Sequence, residues 1–296
     1  MGHSLLTLRG RDLLSIADLD REELLAILEL AADIKSGRWR RRPLEGQAVA
    51  MLFQKPSNRT RVSFEVGIAR LGGHAVTLGE QDVQIGQRET VADAARVLER
   101  YVQLIVARLR LHQDLVELAQ HARIPVVNAL TEVEHPCQVL ADLLTLRERC
   151  GGPDGLRVAF VGDGNNIARS LWHASRRLGF DLVVITPPGY GLAEAGDRST
   201  TELSAVAGAD AVYTDVWTSM GFEAERERRR RDFAGYTVDG ALMQRAPGAI
   251  FMHCLPAHRG EEVTDDVIDD SRSAVWDQAE NRLYAQMALL ALLTGD

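Results

Sequence analysis

The stretch FMHCLPAHRGEE, residues 251–262, places two histidines and a thiol within six positions: His253, Cys254 and His258. Such a group could bind a metal ion, could pair a nucleophile with its base, or could do neither. Side chains alternate along a strand, so His253 and Cys254 are expected to face opposite ways. A shared metal would need further ligands, and a cysteine nucleophile would need an oriented base. We interpret Cys254 as a non-covalent substrate contact, with a buried core cysteine as the alternative.

The segment FQKPSNRTRVSFE, residues 53–65, has the features of an anion site. An apolar strand ends at its first residue, and Ser57 is suited to cap a following helix. The first turn of that helix offers unpaired N–H groups and positive dipole. Arg59, Thr60 and Arg61 add a hydroxyl and two guanidinium groups, each able to bind two phosphate oxygens. We expect a phosphate-type anion here, and a helix start with exposed arginines is the alternative.

Other polar side chains follow neighbouring strands of the first half. Arg108 follows LIVA, and the segment His135-Pro-Cys-Gln138 follows NALTEVE. Ligands of parallel α/β sheets lie beyond the carboxyl ends of the strands. Arg108, His135 and Gln138 could therefore polarise a substrate carbonyl together, as an oxyanion hole does. A histidine that only starts a helix remains the alternative for His135.

In the second half, FVGDGNNIARS resembles a dinucleotide fingerprint but does not complete it. The third glycine position holds Ile167, and the next strand ends in VITPP without the acidic residue that a ribose requires. The paired asparagines suggest hydrogen bonds to a small ligand instead. Further on, TDVWTSMG places Asp215 at a strand end, followed by Ser219 and Met220. A carboxylate in that position could hold an ammonium group.

Apolar runs of strand length alternate with segments of helical spacing along the chain. QAVAMLF, HAVTL, VQLIVAR and IPVVNAL are strand-like in the first half, and LRVAFVG, FDLVVITP, ADAVYTDVW and GAIFMHCLP in the second. This alternation predicts parallel sheets, and the GGPDG cluster after residue 150 marks a boundary. We predict an α/β protein with two open parallel-sheet, three-layer domains, residues 1–150 and 151–276. A C-terminal helix, 277–294, is expected to pack back on the first domain.

Composition narrows the class of function. With 34 Lys and Arg against 42 Asp and Glu, the formal net charge is −8. An acidic chain repels nucleic acid and anionic membranes overall, so an anionic substrate needs a local basic pocket. The arginine runs at 38–43 and 226–231 lack interleaved aromatic residues, and we interpret both as solvated helix ends and loops. Three cysteines without a CxxC pattern, and no apolar run of membrane length, predict a cytoplasmic protein.

Taken together and in order, the motifs resemble one family. S-x-R-T-R, Q-x-G, H-P-C-Q, G-D-G-N-N, D-x-W-x-S-M-G, H-C-L-P and A-E-N-R succeed one another over nearly the whole chain. This ordered set resembles the aspartate/ornithine carbamoyltransferase family, and S-M-G with H-C-L-P resembles its ornithine-using members. The resemblance implies transfer of a carbamoyl group from carbamoyl phosphate to the side-chain amine of L-ornithine. It also implies a homotrimer or a multiple of trimers, with no metal or organic cofactor.

The resemblance also implies roles for individual residues. Carbamoyl phosphate would be bound by Ser57, Asn58, Arg59, Thr60, Arg61, Gln84, Arg108, His135, Gln138, Cys254, Leu255 and Arg282, with Gln84 serving a neighbouring subunit. Ornithine would be bound by Asn166, Asp215, Ser219 and Met220. Catalysis would rest on Arg108 and His135 at the carbonyl oxygen and on Asp215 and Cys254 at the amine.

Two departures from the family pattern carry expectations of their own. Asn58 stands where the family usually has Thr or Met, and little effect is expected because the backbone N–H is what matters there. The segment between residues 187 and 210 is shorter than usual and can hold one crossover but hardly two. We therefore expect one strand fewer in the second sheet, or a disordered loop. Alternative functions are a carbamoyltransferase for another amine, such as acetylornithine or putrescine, and a non-catalytic relative that binds phosphate-bearing metabolites.

Overall fold

The structure is a computed structural model that describes residues 8–82, 84–85, 88–218 and 223–295. Helices and strands alternate strictly in the first part of these residues and less regularly in the second. The first part of the chain contains α1 (Arg21–Lys35), β1 (Ala48–Phe53), α2 (Asn58–Arg70), β2 (His74–Leu78), α3 (Val91–Leu98), β3 (Leu104–Arg108), α4 (His112–His121), β4 (Val126–Leu130) and α5 (Pro136–Cys150). The second part contains β5 (Arg157–Val161), α6 (Asn166–Leu178), β6 (Asp181–Ile185), β7 (Ser199–Thr200), β8 (Ala211–Thr214), α7 (Arg226–Asp232), α8 (Gly240–Met243), β9 (Ile250–His253), α9 (Asp265–Ile268) and α10 (Val275–Thr294).

The chain divides into two compact units. The first unit comprises Met1–Leu144 with Asn281–Asp296, and the second comprises Thr145–Glu280. The divisions fall inside α5 and α10, so each of these helices contributes residues to both units. Both units are built on parallel sheets, which confirms the α/β prediction.

In the first unit the described strands form a parallel sheet in the order β2-β1-β3-β4. Alternate residues of β1 and β3, among them Ala50, Leu52 and Ile105, pack against buried side chains of α3 and α4. The α10 part of this unit packs on α2, where Gly67 lies against Leu283 and Met287. A β-carbon at Gly67 would come within 3.1 Å of Met287 Cγ, so glycine permits this close approach.

In the second unit the described strands form a parallel sheet in the order β7-β6-β5-β8-β9. Its core joins alternate residues of β5, β6 and β8 to apolar residues of α8, α9 and the start of α10. β5 lies between β6 and β8, with Val161 paired to Ile185 on one side and Thr214 on the other. The carboxyl ends of β5 and β8 therefore lie side by side, where ligands of such sheets bind.

The shortened segment 187–210 differs from the expectation of one strand fewer. It contains two 3₁₀ helices, Ala193–Arg198 and Leu203–Val206, and the two-residue strand β7 between them. β7 pairs with the end of β6, Ser199 with Val184 and Thr200 with Ile185. That expectation was wrong because tight 3₁₀ turns make the crossovers in fewer residues than α-helices need.

Candidate functional site

The first unit gathers polar side chains at the carboxyl ends of its strands, beginning with Arg108. This residue ends β3 and is 5% exposed. The pairing of β3 with β4 shifts at this point, since Ala107 pairs with Asn128 but Arg108 pairs with Leu130. Such an irregularity changes the direction of the neighbouring side chain. The carbonyl oxygen of Arg108 accepts a hydrogen bond from the N–H of Gln54 at 3.0 Å.

His135 lies immediately before α5 and is also 5% exposed. Its carbonyl accepts from the N–H of Gln138 at 3.1 Å and of Val139 at 3.3 Å, which starts the helix. Burial, aided by the positive charges of Arg282 and Arg108, holds the pKa of His135 well below its ordinary 6.5. His135 is therefore a neutral imidazole at neutral pH, able to donate one N–H beside two guanidinium groups.

Arg282, on α10, connects two other predicted residues in the first unit. One of its terminal nitrogens donates to Thr60 Oγ1 at 2.8 Å, and the other donates to Gln138 Oε1. Gln138 in turn donates to Asp142 Oδ1 at 2.8 Å. Arg282 is 3% exposed, and its partners include a hydroxyl and an amide oxygen. A buried guanidinium group is suited to the binding of an anion.

The start of α2 has the predicted cap. Ser57 Oγ accepts from the N–H of Thr60 at 3.3 Å. Arg59 is half-buried, whereas Asn58 and Arg61 are exposed. Arg61 pairs with Glu65 along the helix at 2.9 Å, an arrangement typical of a solvated helix face. Of the two arginines of the motif, Arg59 is thus the less exposed.

Gln84 lies in a loop and is exposed. Its carbonyl accepts from the N–H of Arg88 at 2.8 Å. Its predicted role at the site of a neighbouring subunit stays a prediction.

The second unit gathers its polar side chains around Asp215, which is 7% exposed. Asn165 Nδ2 donates to Asp215 Oδ2 at 2.8 Å, and the Cys254 thiol donates to Asp215 Oδ1 at 3.0 Å. The N–H of Val216 also donates to Oδ1, at 2.8 Å. Because a carboxylate beside it opposes formation of a thiolate, Cys254 is poorly placed to act as a nucleophile. It is better suited to a non-covalent contact.

Asn165, which was not among the predicted site residues, makes this contact with Asp215. Asn165 also caps α6, since its Oδ1 accepts from the N–H groups of Ile167 and Ala168 at 3.0 and 3.2 Å. The preference of asparagine for the N-cap position could have identified it from sequence. Asn166 is the first residue of α6 and is half-buried, and its role with ornithine stays a prediction. Ser219 and Met220 lie outside the described residues.

The two glycines of G-D-G-N-N have different structural roles, a backbone conformation at Gly162 and close packing at Gly164. Gly162 has φ 145°, a conformation that favours glycine. A β-carbon at Gly164 would lie 2.7 Å from Leu192 N and from Tyr190 O, and Gly164 donates its N–H to Tyr190 O at 2.9 Å. The glycine pattern thus reflects a backbone crossing by segment 187–210.

His253 holds the H-C-L-P turn together. Its Nδ1 accepts from the N–H of Leu255 at 2.8 Å, so Nε2 carries the proton and donates to Glu262 Oε1 at 3.1 Å. Leu255 has φ 56°, which is unusual for a branched residue. Both ring nitrogens therefore have protein partners, and His253 supports the turn that carries Cys254 and Leu255.

The predicted separation of His253 and Cys254 was wrong. A ring nitrogen of His253, the Cys254 thiol and an oxygen of Asp215 lie within 4.8 Å of one another. Alternation fails here because β9 ends at His253 and Cys254 lies beyond the strand. His258, Glu261 and Glu262 form a second such group. His258 itself is exposed, with its N–H donating to Glu262 Oε1 at 2.6 Å.

Comparison with known proteins identifies the family to which the chain belongs. The model for the aspartate/ornithine carbamoyltransferase carbamoyl-P binding domain matches residues 11–148, and that for the Asp/Orn binding domain matches residues 154–293. The chain belongs to the aspartate/ornithine carbamoyltransferase family. The resemblance seen in its motifs is thereby confirmed.

Individual relatives within the family match over nearly their full length. The chain is similar to the ornithine carbamoyltransferase of Pyrococcus abyssi, with 52% identity over 310 positions that cover 98% of this chain and 97% of that protein. The anabolic ornithine carbamoyltransferase of Pyrococcus furiosus is also 52% identical, with 98% of each chain covered. The crystal structure from Pyrococcus furiosus superposes with a TM-score of 0.92 at 51% identity, covering 98% of both chains.

The alignment lengths agree with a shortened chain. The alignment to the Pyrococcus abyssi protein extends over 310 positions, more than the 296 residues present here. That relative therefore has residues without a counterpart in this chain. Among the described residues, no helix is long and apolar enough to cross a membrane.

Proposed function

We propose that the protein transfers the carbamoyl group of carbamoyl phosphate to the side-chain amine of L-ornithine, releasing L-citrulline and phosphate. The observation that carries this proposal is the buried Asp215 carboxylate with its Cys254 and Asn165 partners. A carboxylate attracts the cationic side chain of ornithine and repels the anionic side chain of aspartate. The names of the relatives at about 50% identity support the same acceptor.

Carbamoyl phosphate is bound by the first-unit cluster. Its phosphate takes the N-terminal turn of α2, where Ser57, Arg59 and Thr60 lie, together with the Arg282 guanidinium. Its carbonyl oxygen takes hydrogen bonds from Arg108 and from the neutral imidazole of His135. Gln138, which Arg282 fixes in place, orients the amide group of the substrate.

Ornithine is bound by the second-unit cluster, with Asn166, Ser219 and Met220 as further proposed contacts. Only the neutral amine is nucleophilic, so the side-chain ammonium must lose a proton before attack. Asp215 and Cys254 orient the amine, and the carboxylate is the acceptor within the cluster for that proton. Attack forms the new C–N bond and places negative charge on the carbonyl oxygen, which Arg108 and His135 stabilise. The C–O bond to phosphate then breaks, and the attacking nitrogen gives its second proton to the departing phosphate, which leaves as an anion.

The test is citrulline formation from carbamoyl phosphate with purified protein. Parallel reactions contain L-ornithine, acetylornithine, putrescine or L-aspartate. We expect turnover with ornithine at least a hundredfold above the others. Aspartate lacks the side-chain ammonium that Asp215 would hold, acetylornithine lacks the free α-ammonium group, and putrescine lacks the α-carboxylate. A site built to hydrogen-bond a substrate group rejects analogues without it by roughly 10⁴. Turnover of a different amine alone would contradict the ornithine assignment. Turnover of none would leave the binding of phosphate-bearing metabolites as the function.

We also propose a homotrimer, or a multiple of trimers, with Gln84 reaching the carbamoyl phosphate of a neighbouring subunit. The exposed position of Gln84 supports this role. Light scattering coupled to size exclusion tests the assembly, and a monomer with full activity would contradict it.

A cytoplasmic location and a role in arginine biosynthesis complete the proposal. The name of the anabolic relative and the three free cysteines among the described residues support them.

A further inference from the structure

Arg229 differs from its neighbours in the arginine run 226–231. The structure buries Arg229 to 8% exposure and leaves the other arginines of α7 exposed. An arginine is rarely buried unless it is paired. The interpretation of this run as a solvated helix end is therefore wrong for Arg229, which faces the interior of the second unit.

The described contacts of the buried Arg229 guanidinium within that unit include hydrogen bonds and an aromatic ring. Its Nη1 donates to Asp163 Oδ2 at 2.5 Å and to the carbonyl oxygen of Trp217 at 2.9 Å. Its Nε donates to Glu225 Oε2 at 3.0 Å. Its planar group lies over the Tyr190 ring, 5.1 Å from the centroid. The side chain is thus held from several sides and is rigid for a long residue.

Two of these contacts hold the chain segments that carry Asn165 and Asp215. Asp163 follows β5 and precedes Asn165 by two residues. Trp217 follows β8, two residues after Asp215. One nitrogen of Arg229 therefore ties together the two strand ends that carry the Asn165–Asp215 hydrogen bond. Trp217 is held from another side by stacking on Phe233, with ring centroids 5.6 Å apart.

The charge of Arg229 also balances a pair of carboxylates. Burial raises the pKa of Asp163 above its ordinary value, and Arg229 opposes that rise. The nearby charges of Asp215 and Glu225 raise the pKa of Asp163 further. Without Arg229, Asp163 would lose this ion pair while the nearby charge of Asp215 remained, an arrangement that costs free energy in a buried site.

We propose that Arg229 is a positioning residue for the amine substrate, holding the strand ends that carry Asn165 and Asp215 in their binding geometry. This inference rests on the proposed function, because ornithine is the ligand that Asp215 would bind. Arg229 does not contact the reacting atoms in this role. It acts through Asp163 and the Trp217 carbonyl.

The test compares three variants with the wild type in the citrulline assay. Arg229→Met removes the charge and the hydrogen bonds but keeps the length of the side chain. Arg231→Met, at an exposed position of the same helix, is the matched control. Asp163→Asn combined with Arg229→Met removes both members of the buried ion pair, so it avoids an uncompensated charge and protects folding. Melting temperatures are measured for all of them.

We expect Arg229→Met to raise the KM for ornithine by on the order of 10- to 100-fold, because small displacements of binding groups have effects of this size. The KM for carbamoyl phosphate should stay within about twofold, and Arg231→Met should match the wild type. The double variant should recover melting temperature yet keep the raised ornithine KM, because the link to Trp217 is still missing. A purely structural role predicts that both recover together.

Each outcome is decisive. The inference is overturned if the folded double variant has the ornithine KM of Arg231→Met, or if the carbamoyl phosphate KM rises as much as the ornithine KM. If Arg229→Met alone does not fold, the double variant gives the answer. If the wild type forms citrulline, such a result overturns the role of Arg229 and leaves the proposed function intact. A wild type that makes no citrulline would overturn the function and the inference together.

Discussion

At the scale of single residues, Arg108 and Cys254 are expected to contribute differently to kcat. Arg108 stabilises charge that develops only in the transition state, and loss of such a donor lowers kcat by about 10²- to 10³-fold. The Cys254 thiol makes a neutral hydrogen bond to Asp215, and a bond of this kind contributes about 1 kcal/mol, or tenfold or less. We expect Arg108→Ala to lose far more turnover than Cys254→Ala in steady-state assays. Equal losses would contradict this division of roles.

The depressed pKa of His135 makes stability depend on pH. Well above pH 6.5 this side chain is neutral in both the folded and the unfolded chain, so it causes no change of stability with pH there. As the pH falls below 6.5, the unfolded chain binds a proton that the folded chain excludes, so the free energy of unfolding falls. One group contributes at most about 1.4 kcal/mol per pH unit to this slope.

We therefore expect the wild type to lose more stability than His135→Gln between pH 7.5 and 5.5. Denaturant titrations at both pH values measure the difference, and comparison within each protein removes the effect of the substitution itself. Identical losses in the two proteins would show that His135 is charged in the folded state or exposed to water.

At the scale of elements, segment 187–210 packs directly against the loop that follows β5. Gly164→Ala would press a β-carbon on backbone atoms of Tyr190 and Leu192, 2.7 Å away, which cannot rotate aside. Overpacking of this kind costs about 1–3 kcal/mol. We expect a lower melting temperature and a raised KM for ornithine, because Asn165 is the next residue.

Gly248→Ala is the matched control for that substitution. A β-carbon there meets nothing within 4 Å, and Gly248 has no left-handed φ. Its melting temperature should equal that of the wild type or rise slightly, since alanine reduces the entropy of the unfolded chain. If the two variants have the same melting temperature, segment 187–210 does not pack tightly on Gly164 in solution.

The longer elements were predictable because buried parallel strands are nearly continuous apolar runs. HAVTL was predicted at residues 74–78, and β2 occupies the same residues. β7 was missed because two residues carry no periodicity. Arg108 and His135 were predictable from their places at strand ends. Arg229 was not, because a run of arginines does not reveal which one turns inward to meet Asp163, 66 positions away.

At the scale of the whole molecule, a net charge of −8 opposes the binding of any anion. Binding of phosphate must therefore come from a local group of donors, and its free energy adds to the free energy of unfolding. A ligand at a hundred times its Kd stabilises the folded protein by about 2.7 kcal/mol. We expect inorganic phosphate to raise the midpoint of chemical unfolding above that in sodium chloride of equal ionic strength.

A pair of variants on α2 locates that effect. Arg59→Met removes a half-buried guanidinium from the first turn and should abolish most of the gain from phosphate. Arg70→Met makes the same change in charge at the other end of the helix, where the residue is exposed, and should keep the gain in full. Both variants have a formal net charge of −9. A general effect of charge would therefore reduce the stabilisation by phosphate equally in both. Equal gains in the two variants would place the phosphate away from the first turn of α2.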